Sequence, residues 1–483
     1  DESLKGAINN QPMNSPEART STLKQGECQD KLYMSFFSTV FSRMCIKMFN
    51  IKEILAKIAE MAEKEKSKVA ELTSRLVKFD TVAPPGETQE CALFIKSYME
   101  DLGAETYIYE RRSRKTNLLA RLKGGRKETI IWLGHLDVVP AGSPENWFYD
   151  PFGGQVTNCR VYGRGSSDMK GSCASAMVAA KILSSLQNDD QEIKRLLPTI
   201  DFWFTCDEEV GAIDGARWLS AEGLFNGSAC IIGDAFGSLP SDPWIDVGCK
   251  GYIRVKLKAK GKTAHGSMPF MGDNAIEKLI VATRKLKEIS DYPLDLPEDI
   301  EYIAESSKDF LISALYLEEK KKRLVEKVFR YPTVSLNIFH GGVRVNVVPD
   351  EAEAIFDIRI TPGASIWKVE DILRKLLKAS KVENVQIEVT EFEDGFYEPL
   401  TSKIVKKMME TVKLALGGEP RPKILTGTTD GIHLEHKANI PCVGFGAGAR
   451  GMAHAPNEYV TQENLVMAAK VYALFPLIWI KDQ

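Results

Sequence analysis

The sequence predicts an α/β protein in which a mostly parallel sheet carries helices on both faces and is interrupted by an inserted domain of order βαββαβ. Three observations predict this fold. Apolar strand-like runs alternate with helical patterns in the first half of the chain. Histidine or acidic residues follow the ends of several of these runs. The pattern changes near Lys250, and the alternation of strands and helices returns after Pro399.

The sequence pattern of the first part of the chain predicts alternating helices and strands. Apolar residues recur at helical spacing over residues 51–77, and this amphipathic pattern ends before Pro84-Pro85-Gly86. The elements predicted after it are a helix at 88–102, strands at 106–109, 117–122 and 129–133, a helix at 172–186, a strand at 199–205, a helix at 214–221 and a strand at 229–232.

The sequence pattern after residue 250 predicts the inserted domain, followed by further elements of the first sheet. The elements of the inserted domain are a strand at 252–258, a helix at 274–289, strands at 333–339 and 351–360, a helix at 366–379 and a strand at 385–389. This order is typical of a four-stranded ferredoxin-like unit. A charged, helical insertion is expected within it at 291–331. A helix at 402–416 and a strand at 442–445 then return to the first sheet, before the loop that holds His454.

These patterns predict four segments: an N-terminal extension at 1–49, the first part of an α/β domain at 50–247, an inserted domain at 248–394, and the rest of the α/β domain at 395–483. Residues 1–32 are polar and are expected to be disordered. Residues 34–49 are apolar but contain Arg43 and Lys47, and the stretch is too short for a membrane span. A targeting peptide is the alternative to an extension outside the domain.

Composition narrows the possible functions. The chain has 483 residues, 44% of them hydrophobic, which supports two or three domains with sizeable cores. A net charge of −3 gives no electrostatic reason to expect binding to nucleic acid or to an anionic membrane. The nine cysteines include no CxxC pair, so we expect a reduced, cytoplasmic chain without a disulfide framework or a thiolate zinc site. Small molecules or short peptides are the expected partners.

Two histidines and three carboxylates follow strand-like runs or precede a helix, and they predict a metal site. They are His135, Asp168, Glu209, Asp234 and His454. In parallel sheets functional groups collect at the carboxyl ends of strands, where these carboxylates would repel one another without a cation. Five ligands are too many for one tetrahedral zinc ion but suit two metals that share one carboxylate. The sequence therefore predicts a two-metal hydrolase.

Two more acids near this set predict supporting roles. Glu208 is adjacent to Glu209 at a strand end, so one can bind metal while the other faces substrate as a general base. Asp137 lies two residues after His135 and can accept the second imidazole N–H, which fixes the nitrogen that faces the metal. Taken alone, each motif also has a structural interpretation: a capped turn for His135 and Asp137, a helix N-cap for Asp168, and a surface turn for the glutamates.

Seven motifs, taken in order, resemble the acetylornithine deacetylase, succinyl-diaminopimelate desuccinylase, carboxypeptidase G and aminoacylase family of two-zinc metallopeptidases. The motifs are GHLDVVPAG, YGRGSSDMKG, TCDEEVG, GKTAHGSMP, FHGGVRVNVVPDEAEAIFDIR, GTTDG and HAPNE. The resemblance covers residue 51 to the end. It implies a zinc-peptidase-like catalytic domain and an inserted lid that mediates homodimerisation. It also implies a cis peptide bond after Asp168.

The resemblance implies a role for each matching residue. Glu209 and His454 would hold one zinc ion, His135 and Asp234 the other, and Asp168 would bridge them. Relatives that act in biosynthesis often carry Glu where this chain has Asp234. The remaining implied roles are general base for Glu208, partner of His135 for Asp137, oxyanion stabilisation for His265, in its own subunit or across a dimer, and substrate binding for Asn346, Arg359 and Thr428.

The expected activity is removal of an acyl group from an N-acyl amino acid or an acylated diamino acid, of the deacetylase or desuccinylase type. The expected cofactors are two divalent metal ions per chain, zinc with cobalt as a substitute. An exopeptidase of the same family, a carboxypeptidase or dipeptidase, is the alternative, because its substrates also present an amide beside a carboxylate. A metal-binding homologue without catalysis is a third hypothesis, and Glu208 argues against it.

Overall fold

A computed structural model describes residues 52–315 and 318–481. The N-terminal extension predicted at 1–49, with its apolar stretch, lies outside the described residues. The described residues from Lys57 onward form one compact unit. The strands are β1 (Glu105–Glu110), β2 (Thr116–Leu122), β3 (Thr129–His135), β4 (Gln155–Thr157), β5 (Arg160–Tyr162), β6 (Thr199–Thr205), β7 (Ala229–Ile232), β8 (Trp244–Cys249), β9 (Gly251–Lys260), β10 (Thr333–Gly341), β11 (Glu351–Ile360), β12 (Val385–Glu393), β13 (Phe396–Tyr397), β14 (Arg421–Leu425), β15 (Cys442–Gly444) and β16 (Tyr459–Thr461).

The single helix predicted at 51–77 is two helices in the structure. Residues 52–64 and Lys66–Val77 are helical, with a turn at Glu65 between them. The Glu65 carboxylate pairs with Lys181 at 2.7 Å. The helices are α1 (residues 52–64), α2 (Lys66–Val77), α3 (Gln89–Asp101), α4 (Gly171–Asp189), α5 (Gln191–Leu196), α6 (Ala216–Ala221), α7 (Ala275–Leu286), α8 (Glu298–Ala314), α9 (Glu319–Val325), α10 (Ile366–Ala379), α11 (Lys403–Leu416), α12 (Gly431–His433) and α13 (Gln462–Trp479).

The larger sheet has nine strands in the order β1-β2-β6-β3-β7-β15-β8-β13, with β14 paired to β8. Its central strands β6, β3, β7 and β15 are parallel, while β1 and β2 add antiparallel strands at one edge. Buried side chains cover both faces. Ile131 and Leu133 of β3 pack with α6 and α12 residues, while Trp132 contacts Tyr472 of α13 with ring centroids 5.7 Å apart. The α/β fold class is therefore confirmed.

The inserted lid is a four-stranded antiparallel sheet of order β10-β11-β9-β12. Its chain order β9-α7-β10-β11-α10-β12 is the predicted βαββαβ pattern. Alternate residues of β9 divide between two faces: Ile253, Val255 and Leu257 join the core under α7 and α10, and Tyr252 and Arg254 lie on the other face. These elements lie within the predicted range 248–394, although the domain boundaries stay predictions.

The helices α8 and α9 lie within the range predicted for the insertion, 291–331. The sequence argument did not single out β8, β14, α13 or the small sheet β16-β5-β4. No helix in the described part of the chain is long and apolar enough to cross a membrane.

Candidate metal centre

The predicted ligands meet at the carboxyl ends of the central parallel strands. His135 is the last residue of β3, Glu209 follows β6, and Asp234 follows β7 by two residues. His454 lies in the loop after β15, and Asp168 precedes α4. The peptide bond after Asp168 is cis, as expected.

The Asp168 carboxylate lies between the two histidines. Its Oδ1 is 3.2 Å from Nε2 of His135, and its Oδ2 is 3.2 Å from Nε2 of His454. Nε2 of His454 is also 3.1 Å from Oε2 of Glu209. Two ligands of a tetrahedral zinc ion, each about 2.0–2.1 Å from the metal, lie about 3.3 Å apart, so these separations suit pairs of ligands on shared ions. Each oxygen of Asp168 therefore faces a different histidine, as a bridging carboxylate requires.

Two buried atoms support the fit to metal ions. Nε2 of His135 and Oδ1 of Asp234 are among the buried polar side-chain atoms that have no hydrogen-bond partner within the described residues. The atom nearest to Nε2 of His135 among the charged groups is Oδ1 of Asp168, at 3.2 Å. Buried polar atoms are normally paired, because leaving one unpaired costs about 1–3 kcal/mol. Ligand atoms of His135, Asp168 and Glu209 also lie within 4.8 Å of one another, which suits a cation.

The electrostatics of the protein alone also favour bound cations. Burial raises the pKa of Glu208 and of Asp234 well above the usual carboxyl range. Hydrogen bonds to Asp168 and Glu209 raise the pKa of His454 to about 10. Burial opposes a rise in the pKa of His135, but the surrounding carboxylates, including Asp168, outweigh it. Without metal the cluster would take up protons to reduce its negative charge, and divalent cations remove the same repulsion.

The contact of Asp137 differs from the sequence expectation. Nδ1 of His135 lies 3.0 Å from the backbone carbonyl oxygen of Asp137, while the Asp137 carboxylate is farther away, at 3.7 Å. That carboxylate instead accepts the backbone N–H groups of Glu208 at 3.2 Å and Glu209 at 3.1 Å. The reason is the left-handed conformation of Asp207, with φ of 70°, at the turn that begins the Glu208–Val210 segment. Asp137 therefore orients both the imidazole and the two glutamates.

Glu458 is a buried carboxylate that the sequence argument did not single out, although it ends the HAPNE run. It accepts hydrogen bonds from the backbone N–H groups of Ser167 at 2.8 Å and Asp168 at 2.9 Å, and it pairs with Arg164. The Arg164 guanidinium also donates to the carbonyl oxygen of His454 at 3.2 Å. The pair of Glu458 and Arg164 therefore holds the Asp168 loop against the His454 loop.

Of the four residues expected to contact the substrate, two line the cavity at the candidate metal centre and two do not. Arg359 and Thr428 line a cavity of about 580 Å³ together with Asp168, Glu208, Glu209, Asp234 and His454. His265 and Asn346 do not line this cavity. They are neighbours on the exposed side of the lid, where the N–H of Gly266 donates to the carbonyl oxygen of Asn346 at 2.8 Å.

We expect Glu458→Gln to weaken metal binding about 10- to 100-fold, because residues that orient ligands typically contribute this much to metal affinity. Competition with a chromogenic zinc chelator measures the affinity, and circular dichroism checks the fold. Glu463→Gln is the matched control, since Glu463 is exposed at the start of α13. Unchanged affinity in a folded Glu458→Gln protein would contradict the positioning role.

Comparison with known proteins adds to this geometry. The family model described as peptidase family M20/M25/M40 matches residues 131–477. A probable succinyl-diaminopimelate desuccinylase of Staphylococcus aureus strain Mu50 is 26% identical over 392 residues, which cover 79% of this chain and 92% of the relative. An uncharacterised metallohydrolase of Methanocaldococcus jannaschii is 26% identical over 433 residues, covering 83% and 97%.

Solved structures share the fold. An M20 family metallo-carboxypeptidase of Sulfolobus solfataricus has a TM-score of 0.70 and 24% identity, over 84% of this chain and 98% of that chain. The di-peptidase Dug1p of Saccharomyces cerevisiae has a TM-score of 0.72 and 18% identity, over 89% and 99%. The chain thus belongs to peptidase family M20/M25/M40, a family of metallohydrolases with dinuclear metal sites.

Proposed function

We propose that this metallohydrolase removes the acyl group from N-acyl amino acids or acylated diamino acids. The observation that carries the proposal is the position of Asp168 between two histidines, with the Glu208 carboxylate beside it in the same cavity. The match to relatives named as probable desuccinylases, over 79% of this chain and 92% of the relative, supports a deacylase. A non-catalytic metal-binding homologue is less well supported. It would have no use for Glu208, a carboxylate beside the proposed metal ligands that is not itself a proposed ligand.

The proposed ligand sets follow the contacts around Asp168. His454 and Glu209 would hold one ion, His135 and Asp234 would hold the other, and the Asp168 carboxylate would serve both. Imidazole and carboxylate ligands suit zinc, and cobalt is expected to substitute. When bound, two such ions supply positive charge that acidifies water and polarises an amide carbonyl.

Glu208 is the proposed general base. Its backbone N–H is held by Asp137, and burial raises its pKa. The positive charge of metal ions in this cavity would oppose that rise. A carboxylate oxygen of Glu208 takes the proton of the attacking water and then delivers it to the nitrogen of the leaving amine. Asp137 keeps Glu208 in place while the proton moves.

Arg359 is the proposed partner of the substrate carboxylate. Its guanidinium lines the cavity and is held by the Asp357 carboxylate at 2.6 Å. A guanidinium binds a carboxylate through paired hydrogen bonds, which would fix the amide relative to Glu208. Thr428 lies in the turn that lines the same cavity and is proposed to contact the substrate backbone.

We expect Glu208→Gln to reduce hydrolysis by about 10²- to 10⁴-fold while metal content is kept, because the amide cannot accept the proton. A screen of N-acyl amino acids, acylated diamino acids and dipeptides with added zinc or cobalt identifies the substrate and measures the loss. Cleavage of dipeptides alone would favour the alternative, an exopeptidase. Glu222→Gln is the matched control, since Glu222 lies on an exposed helix end. Wild-type turnover in Glu208→Gln would eliminate the assigned base.

We expect two metal ions per chain at saturation, and Asp168→Asn to weaken both sites, because one carboxylate serves both ions. Elemental analysis of protein dialysed against zinc, with and without prior chelation, gives the ratio. Saturation at a single ion per chain would contradict the bridging role.

We further propose that the chain forms a homodimer through the lid, so that His265 of the partner subunit enters the cavity. His265 and Asn346 are exposed and outside the cavity of their own chain, which supports an action across subunits. β10 is an edge strand of the lid sheet, and edge strands offer unpaired backbone groups to a partner. Apolar side chains exposed near His265 and Asn346 are Met268, Phe270, Met271, Val343 and Val345.

Mixing two inactive variants tests this arrangement. We expect His265→Ala and Glu208→Gln proteins to regain part of the activity when mixed and refolded together, because a heterodimer has one site with both residues intact. Light scattering gives the mass of the wild type and of Val345→Asp, which should be monomeric. Leu414→Asp on α11 is the matched control for an exposed apolar residue. A monomeric wild type, or no recovery on mixing, would exclude action across a dimer.

A further inference from the structure

The loop after β6 carries Glu208 and Glu209, and its backbone needs support from other elements. Asp207 and Ala212 have left-handed backbones, with φ of 70° and 56°. Residues other than glycine rarely adopt such conformations unless the surrounding structure determines them. The Asp137 carboxylate holds the start of the loop through the N–H groups of Glu208 and Glu209. The rest of the loop requires contacts from another element.

The hairpin of β1 and β2 supplies these contacts. The Arg111 guanidinium donates to the carbonyl oxygen of Ile213 at 2.7 Å. The Asn117 side chain donates to the carbonyl oxygen of Asp214 at 2.9 Å and accepts the backbone N–H of Cys206 at 3.1 Å. The loop is therefore bound to the hairpin at both of its ends.

Lys115 is a largely buried cation in this contact. Its Nζ pairs with the Asp207 carboxylate and lies 3.3 Å from Oδ2 of Asp214. The side chains of Lys115, Asp207 and Asp214 are only 15%, 2% and 1% exposed. The Asp207 carboxylate also accepts the backbone N–H of Asp214 at 3.0 Å. One ammonium group therefore joins the residue before Glu208 to the far end of the loop.

Two arginines near Asp214 differ from Lys115 in exposure. Arg111 and Arg112 lie 4.0 Å and 3.3 Å from the Asp214 carboxylate, but their side chains are 46% and 65% exposed. Exposed ion pairs contribute little, because water competes for both groups and salt screens them. Lys115 does not line the cavity at the candidate metal centre. Its charge therefore acts on the position of the loop and not on a substrate.

We propose that Lys115 is a positioning residue for hydrolysis. By binding Asp207 and Asp214, its ammonium group holds the turn on which the next two residues lie. That turn directs the Glu208 carboxylate to the attacking water and the Glu209 carboxylate to a metal ion. The inference rests on the proposed amidohydrolase function and on no particular substrate. Placement matters because a displacement of about 1 Å can lower a rate about 100-fold.

The test measures kcat, KM and zinc affinity of a Lys115→Met protein, with the best substrate of the screen and a chromogenic chelator. We expect kcat to fall about 10- to 100-fold and zinc affinity about tenfold, because both glutamates lose their position. KM should stay within about twofold, because Lys115 does not line the cavity. Lys115→Arg should keep most of the activity, since a guanidinium can pair with both carboxylates. Lys123→Met is the matched control, because Lys123 pairs with Glu105 of the same hairpin but is 64% exposed.

A second variant separates positioning from folding, because Lys115→Met leaves two buried carboxylates without this cation. The double variant Lys115→Met/Asp207→Asn removes one of these charges. Its new side-chain oxygen still accepts the N–H of Asp214, and asparagine tolerates a left-handed backbone. Circular dichroism should show a folded protein, and kcat should still be at least about tenfold below that of the wild type.

The outcomes distinguish this inference from the proposed function. Wild-type kcat in the double variant, or a rise in KM alone in Lys115→Met, would overturn the inference and leave the proposed function intact. So would a double variant that does not fold, since the role of Lys115 would then be structural. A wild type that hydrolyses none of the screened compounds would contradict the proposed function instead. Zinc affinity then decides the inference, and an unchanged affinity in folded Lys115→Met protein would overturn it.

Discussion

The geometry of the whole site depends on one buried ion pair, between Arg164 and Glu458. Glu458 gathers backbone N–H groups of the loop that ends in Asp168, while Arg164 holds the carbonyl oxygen of His454. These loops are nearly three hundred residues apart in sequence, as the spacing of 290 between Asp168 and Glu458 shows. Buried ion pairs contribute little net stability on average, but removing one partner leaves an uncompensated charge. Here the pair also affects geometry, since it joins the loop that holds the Asp168 carboxylate to the loop that holds His454.

The carboxylates of the candidate metal centre also carry an electrostatic cost. Glu208 is half-buried and Asp234 is buried, and desolvation, together with neighbouring carboxylates, raises the pKa of both. Such an arrangement is unfavourable for folding in the absence of a cation. The sheet beneath this cluster is supported by an apolar core, in which Trp132 and its neighbours are buried. The structure thus concentrates negative charge at one edge and supports it with an apolar core.

Much of the fold follows from the sequence, because strands and helices with a clear hydrophobic period are readable. The strands Thr199–Thr205, Ala229–Ile232 and Glu351–Ile360 and the helix Ile366–Ala379 have the predicted bounds. The C-terminal helix Gln462–Trp479 is buried on nearly all sides, so its sequence lacks the polar stripe that marks an amphipathic helix.

The candidate site was predictable at the level of residue types and less so at the level of contacts. His135 and Glu209 were predicted from strand ends and Asp168 from its place before a helix, and ligand atoms of the three lie within 4.8 Å of one another. The hydrogen bonds of Asp137 depend on the left-handed backbone of Asp207, which no residue pattern revealed. The pairing of Arg164 with Glu458 joins segments that only the folded chain brings together.

The insertion at 291–331 is hydrogen-bonded both to the catalytic sheet and to the lid. At one end Ser306 and Ser307 bond to the segment that contains β14, and at the other the carbonyl oxygen of Phe329 accepts a hydrogen bond from Thr361 of the lid at 2.7 Å. A rotation of the lid about Lys250, the residue between β8 and β9, must either carry α8 with it or break these bonds. The width of the cavity entrance is therefore governed by the attachment of this helix as well as by the interdomain connection itself.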